Sequence, residues 1–286
     1  MDRHFLIAVS NQKSAIFGIR FVADFFTDKS LIKSTLFYST PKPPAVWEEE
    51  KTLQTELQQK DKEQKIARES LQTLESAKKE SVLMGLLPEN IDLKVQPQEF
   101  SKVGDIIHEG EKGSYDAVVL GRRGLSMIEE AFEDSVSRSI FNDKFTFPLW
   151  LCRSSDPSRQ NVLLYVDGSP SSFQMADHVG FVLALEDRHR VDLMISSSLS
   201  DDSPEIDRYV EILKSHGLPE DRFQVRWKEE INPARQILKI LDKEPYAAVA
   251  LGRTGKEPNL LARLFRGPVC SVLFSELDRA ALWLCP

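Results

Sequence analysis

Two short turns in this chain carry the residue types that hold an anion. Gly121-Arg122-Arg123-Gly124 and Gly252-Arg253-Thr254-Gly255 each follow a run of apolar residues, Ala117 to Leu120 and Ala247 to Leu251. A buried strand that ends in glycines brings backbone N–H groups up to a phosphate at the N-terminus of the next helix. Other chemistries lack their residues. No Ser-His-Asp order or paired carboxylates can be read as catalytic. His4, His108, His178, His189 and His216 are scattered without metal-ligand spacing and read as surface or internally satisfied side chains. Three cysteines in 286 residues are too few for a disulfide framework and include no C-x-x-C pair. Cys152 and Cys285 read as small buried hydrophobes.

The turns belong to a duplication. Tyr115-Asp-Ala-Val-Val-Leu-Gly-Arg-Arg-Gly124 is echoed 131 residues later by Tyr246-Ala-Ala-Val-Ala-Leu-Gly-Arg-Thr-Gly255, and Leu149-Trp-Leu-Cys152 is echoed 133 residues later by Leu282-Trp-Leu-Cys285. The near-constant offset means a repeated domain rather than a repeated motif. The boundaries that follow are residues 1–153 for the first copy, 154–159 for a linker containing Ser154-Ser-Asp-Pro157, and 160–286 for the second copy. A net charge of −7 and a pI near 5.4 exclude a non-specific nucleic-acid binder. No apolar run has the length of a membrane span, and Met1-Asp-Arg-His leads into a short strand with no cleavage pattern, so the expected compartment is the cytoplasm.

Strands and helices alternate in both copies. Phe5 to Val9, Leu31 to Tyr38, Ile91 to Val95, Ala117 to Leu120 and Leu149 to Cys152 are the expected strands of the first. Val162 to Val166, Val191 to Ile195, Phe223 to Trp227, Ala247 to Leu251 and Leu282 to Cys285 are those of the second. Their continuous apolar runs, without hairpin turns, predict parallel sheets covered on both faces. Helices are expected at Ile16 to Val22, from about Ser101, through Ile140, from Pro170, near Glu205 to Lys214, and from Pro233. Ser169-Pro170 and Asn232-Pro233 pair an N-cap with proline at the first helical position, and Gly85 and Gly217 mark equivalent helix stops. The first copy also carries an insertion of about 47–83. This run lacks glycine and proline between Trp47 and Leu83 and places Glu56/Lys60, Asp61/Lys65 and Glu75/Lys79 at i,i+4. It predicts one long solvated helix packed at one end, with a thin stripe of Leu53, Leu57, Ala67, Leu71, Leu74 and Ala77. This helix is the best candidate for a partner or self-association surface.

These features together resemble the tandem form of the universal stress protein family across essentially the whole chain. The resemblance implies α/β architecture: two tandem domains, each a five-stranded parallel sheet with helices on both faces, in a flavodoxin- or Rossmann-like order shared with adenine nucleotide α-hydrolases. It implies ATP or another adenine nucleotide, with magnesium, as the ligand of binding members. An Asp ending strand one holds the nucleoside, the glycine pair and a Gly-Ser/Thr further on cradle phosphates, and backbone around strand two contacts adenine.

Each copy departs from that pattern. In the first, Val9-Ser10 replaces the strand-one Asp; Gly121, Arg122 and Gly124 are present, but Asp134 precedes Ser135 and Ser137 where a glycine is expected. A carboxylate at a phosphate costs on the order of 4 kcal/mol per like-charge pair at about 4 Å and an effective dielectric of about 20. Asp134 reads better as the N-cap of the last helix. The second copy retains Asp167-Gly168-Ser169, with Ile195 at the end of strand two, and Gly252, Arg253 and Gly255. Its late glycine, Gly267, is followed by Pro268, which lacks both a donor and a hydroxyl. The expectation is a stress-response regulatory protein with degenerate nucleotide sites, the second copy being the better binder. A non-nucleotide scaffold acting through protein partners stays open beside it, and an enzyme ranks last. The apolar Leu149-Trp150-Leu151 and Leu282-Trp283-Leu284 predict that the fifth strands pair inside the chain as a pseudo-dimer, with homodimerisation beyond that left open.

Overall fold

Short apolar strands that leave no polar face must lie between two layers of helices, and the computed structural model has them there. It describes residues 2–10, 16–41, 53–121, 146–184, 186–200, 202–230, 232–253 and 268–286. The strands are β1 (Arg3–Ala8), β2 (Ile32–Thr40), β3 (Ile91–Pro97), β4 (Ala117–Gly121), β5 (Leu149–Cys152), β6 (Gln160–Val166), β7 (Val191–Ile195), β8 (Phe223–Lys228), β9 (Tyr246–Gly252) and β10 (Ala281–Cys285). The described helices are α1 (Ile16–Phe25), α2 (Leu53–Leu83), α3 (Lys102–Lys112), α4 (Pro170–Leu183), α5 (Pro204–Ser215), α6 (Pro233–Lys243) and α7 (Pro268–Glu276). Ile140 lies outside the described residues.

All ten strands form one sheet in the order β3-β2-β1-β4-β5-β10-β9-β6-β7-β8. Each half is parallel and runs 3-2-1-4-5. This is the Rossmann order rather than the flavodoxin order, in which strand one lies between strands two and three. The alternation of apolar runs shows that strands are buried but not to which side each crossover carries the next one.

The halves meet where β5 pairs antiparallel with β10, with Trp150 opposite Trp283 and Leu151 and Leu149 opposite Leu282 and Leu284. This three-residue register is symmetric about the tryptophans, so a pseudo-twofold axis passes through them. Their rings stack with centroids 4.1 Å apart and 5° between planes, a geometry worth roughly 0.5–1.5 kcal/mol beyond the area it buries. Both faces of the sheet are covered over its eight inner strands. At the two edges β3 and β8 alternate apolar with polar residues and are largely exposed, so the continuous covered runs expected for them are not found, because an edge strand has a neighbour on one side only. One face carries α1, α2, α4 and α5 through Val22, Leu74, Val179 and Leu213, and the other carries α3, α6 and α7 through Ile106, Ile237 and Leu273.

The insertion is a single helix, α2, seated at its C-terminal end. Its buried seam is Ser70, Leu74, Ala77 and Ser81, with Ile66 half-buried. Ala67 and Leu71 from the expected stripe are exposed, Leu71 by 52%; the side chains of Leu53 and Leu57 lie outside the described set. Ser70 and Ser81 can replace apolar residues because each hydroxyl donates to its own helix, to the carbonyls of Ile66 (2.7 Å) and Ala77 (2.8 Å). The stops are as the sequence indicates: Gly85 and Gly217 have φ of +91° and +84°, where only glycine is unstrained.

Candidate functional site

In an open parallel sheet the crevice for a ligand lies beyond the carboxyl ends of the strands, where the strand order reverses. In the second half that point lies between β6 and β9, which are hydrogen-bonded neighbours. Asp167, Gly168 and Ser169 leave β6 there, and Gly252 and Arg253 leave β9. Gly168 has φ +77°. The Asp167 carboxylate accepts from the Ser169 amide at 3.0 Å and closes an Asx turn. Ser169 then caps α4, its hydroxyl accepting from the Ser172 amide at 3.2 Å. Ile195 ends β7 and is buried.

Two residues that sequence patterns did not single out hold this rim. Tyr209 of α5, fully buried, accepts from the Gly168 amide and donates to the Ser172 hydroxyl, both at 2.9 Å. Glu229, just past β8, accepts from the Tyr165 hydroxyl (3.0 Å), the Ser196 hydroxyl (2.9 Å) and the Ser197 amide (3.0 Å). Burial raises the phenols of Tyr165 and Tyr209 above their ordinary range, so both stay neutral hydrogen-bonding groups.

Gly252 has a structural task of its own. A Cβ there would come within 2.3 Å of the Ser172 amide nitrogen and 2.4 Å of the Ser171 carbonyl carbon. The end of β9 therefore touches the first turn of α4, and no side chain fits between them. Arg253 follows, buried, with its amide donating to the Cys285 carbonyl at 2.7 Å. Cys270 of α7 lies close by, its thiol pushed up to about 12 by burial, with Arg253 opposing the shift and Asp167 adding to it. A thiol in that state is a packing group rather than a nucleophile.

In the first half Val9 and Ser10 follow β1, the Val9 amide donating to the Phe37 carbonyl at 2.8 Å, and Gly121 ends β4 buried. Here Asp105 of α3 clasps the loop after β3, accepting from the Ser39 hydroxyl (2.5 Å) and from the amides of Glu99 (3.2 Å) and Phe100 (3.0 Å). Gln236 does the same work in the second half, taking the Glu230 amide at 3.0 Å. The rest of both turns (Arg122, Gly124, Asp134, Ser135 and Ser137, and Gly255 and Gly267) lies outside the described residues. Among the described residues no group of His, Cys, Asp or Glu is arranged to hold a metal ion, and no helix is long and apolar enough to cross a membrane.

No protein-family model matches the sequence, and no curated protein matches it. Solved structures do. A universal stress protein from Archaeoglobus fulgidus superposes with a TM-score of 0.67 at 13% identity, covering 99% of this chain and 95% of its own. A functionally unknown protein from Pseudomonas aeruginosa superposes with a TM-score of 0.50 at 12% identity, covering 99% and 92%. The likeness spans both halves, and the chain has the universal stress protein fold.

Proposed function

We propose that this chain is a regulatory protein of the universal stress protein type that binds an adenine nucleotide at the carboxyl edge of its second half. The first half serves as its structural partner. The working units are residues 1–153 and 160–286, joined by 154–159. The observation that carries the reading is the asymmetry of the two rims. The second holds an ordered carboxylate turn at Asp167-Gly168-Ser169, while the first offers Ser10 in its place. Asp167 would meet the nucleoside, and the turns around Gly252, Gly255 and Gly267 would face the phosphates, with magnesium offsetting their charge. The buried cysteines Cys152, Cys270 and Cys285 are all free thiols, which supports a reducing, cytoplasmic setting.

Thermal unfolding with ATP, ADP and AMP, with and without magnesium, tests this directly. A ligand that binds the native state alone raises the melting temperature as its concentration passes Kd. Asp167→Ala should weaken binding by about tenfold or more, because a hydrogen bond to a charged group is worth roughly 1.5–3 kcal/mol. Ser10→Ala should leave it unchanged, and Asp134→Gly should strengthen binding in the first half. Nucleotide binding that survives Asp167→Ala and is lost in Ser10→Ala would place the site in the other half. The second reading, a scaffold without nucleotide, is favoured by one observation: packing against α4 alone accounts for Gly252. Absence of any shift with all three nucleotides would select it.

A further inference from the structure

The two rims differ in one further respect. A shift of 157 residues brings Val9 onto Val166 and, with it, Ala8 onto Tyr165 and Ser39 onto Ser196. The strand registers carry the relation on to the edge strands. Tyr38 pairs with Val95 and Ile195 with Lys228, so the next residues, Gln96 and Glu229, stand at related positions. The two serines nevertheless bond differently. The Ser39 hydroxyl donates to Asp105 of α3, a carboxylate buried completely. At the related position of α6, Gln236 takes the Glu230 amide instead, which leaves the Ser196 hydroxyl to the half-buried Glu229.

The way Glu229 is held decides what it can still bind. The Tyr165 hydroxyl, the Ser196 hydroxyl and the Ser197 amide all donate to Oε2, at 3.0, 2.9 and 3.0 Å. A carboxylate oxygen offers about two lone pairs, so Oε2 is saturated. Oε1 has no partner among the described residues. The backbone is pinned as well, the Glu229 amide donating to the Ile195 carbonyl at 2.8 Å. The result is a single acceptor fixed in direction before any ligand arrives.

Its place on the rim follows from the strand order. β9, β6, β7 and β8 are consecutive neighbours, about 14 Å across at the usual spacing of strands. The glycine turn leaves β9, Asp167 leaves β6, Ser196 and Ser197 follow β7, and Glu229 follows β8. A ligand with its phosphates at the first and its sugar at the second lays its base across the third and fourth. Burial raises the Tyr165 phenol, and both Glu229 and Asp167 add to the rise, so one tyrosine lies within electrostatic reach of both carboxylates. The loop after β7 closes on the same turn: a Cβ at Gly168 would come within 3.1 Å of Leu199 Cδ2.

We propose that Glu229 selects the base: its Oε1 accepts one hydrogen bond from an exocyclic amino group, so the second rim prefers a 6-aminopurine to a 6-oxopurine. This rests on the nucleotide reading and adds to it the residue that sets specificity. A carbonyl at carbon 6 sets two acceptors face to face with no proton between them. Guanine gains nothing from its two adjacent donors, because a carboxylate receives both only with both oxygens and Oε2 is taken.

The experiment uses the full chain with magnesium and three triphosphates that differ at carbon 6 of the base: ATP (amino), purine riboside triphosphate (hydrogen) and ITP (carbonyl), with GTP as a fourth. Calorimetry should rank ATP first, about tenfold or more above purine riboside triphosphate, with ITP and GTP weaker still. Glu229→Gln is nearly isosteric. Its amide oxygen keeps the three donors and its NH2 group faces the base, so the preference should invert, ITP over ATP. A residue that only held the loop would weaken all four ligands alike. If Glu229→Gln does not fold, the ranking of the four ligands by the unaltered chain decides. Equal affinity for ATP and ITP, GTP binding tightest, or a ranking unchanged in folded Glu229→Gln would overturn the proposal. ATP binding that is lost in Asp167→Ala but blind to carbon 6 keeps the nucleotide site and removes only the role of Glu229. No binding of any of the four, with no thermal shift, removes both.

Discussion

His178 and Phe21 show how much a single difference between related positions decides. Trp150 has an acceptor in His178, whereas Trp283, whose related neighbour is Phe21, keeps a buried indole N–H without a partner among the described residues. Burial lowers the His178 imidazole to about 3, and His189, stacked on Phe25 at 4.2 Å, is lowered as well. The unfolded chain binds a proton near pH 6.5 that the folded chain refuses, so native stability falls as pH drops below about 6.5 towards 3. For His178 the slope is about 1.4 kcal/mol per pH unit, or about 2 kcal/mol lost between neutrality and pH 5. Urea unfolding at pH 7 and pH 5 measures it. His178→Gln keeps an acceptor for Trp150 but cannot titrate, so its pH dependence should be smaller by about that amount; an unchanged dependence would move the effect to other groups.

At the scale of elements, burial on two faces is what sequence reports best. Leu149–Cys152 and Val191–Ile195 are strands with the bounds their apolar runs predict, because every position there is buried. Helix α2 is the opposite case, since half of its buried seam is serine whose hydroxyls are satisfied within the helix. Leu74→Ala should therefore cost about 2–5 kcal/mol, whereas Leu71→Ala, at an exposed position, should stay within about 0.5 kcal/mol. Chemical denaturation of the two variants distinguishes the observed seam from the apolar stripe. The candidate rim was legible where it is local, in Asp167-Gly168-Ser169 and in Gly252, the glycine that ends β9. Its supports were not: Tyr209 lies 41 residues from Gly168, and Glu229 lies 64 from Tyr165. No spacing rule reaches that far, because the contacts exist only once α5 and β8 are placed by the strand order.

For the whole molecule, the question is whether two repeats behave as two folding units. Each half has its own parallel sheet, but the apolar cluster around Trp150 runs without a break from Phe5 and Val22 to Val179 and Leu193. Polar contacts add to it across the same boundary. Glu186 accepts from the Thr27 amide and hydroxyl, Arg188 from the second half reaches the carbonyls of Asp24 and Phe25, and Arg153 reaches the carbonyl of Phe274. Separating the halves would expose both tryptophans, two unpaired strand edges and the buried end of α1, a loss that neither half could absorb at ordinary domain stability. Unfolding in urea should therefore follow one transition, with tryptophan fluorescence, which reports the seam, and far-UV circular dichroism, which reports both sheets, coinciding in midpoint. Trp283→Ala removes the stacking partner and leaves a cavity at the axis, at a cost of about 3–5 kcal/mol. If the seam couples the halves, this variant lowers the single midpoint. If the halves fold independently, it leaves the circular dichroism midpoint of the first half where it was, and the two probes separate.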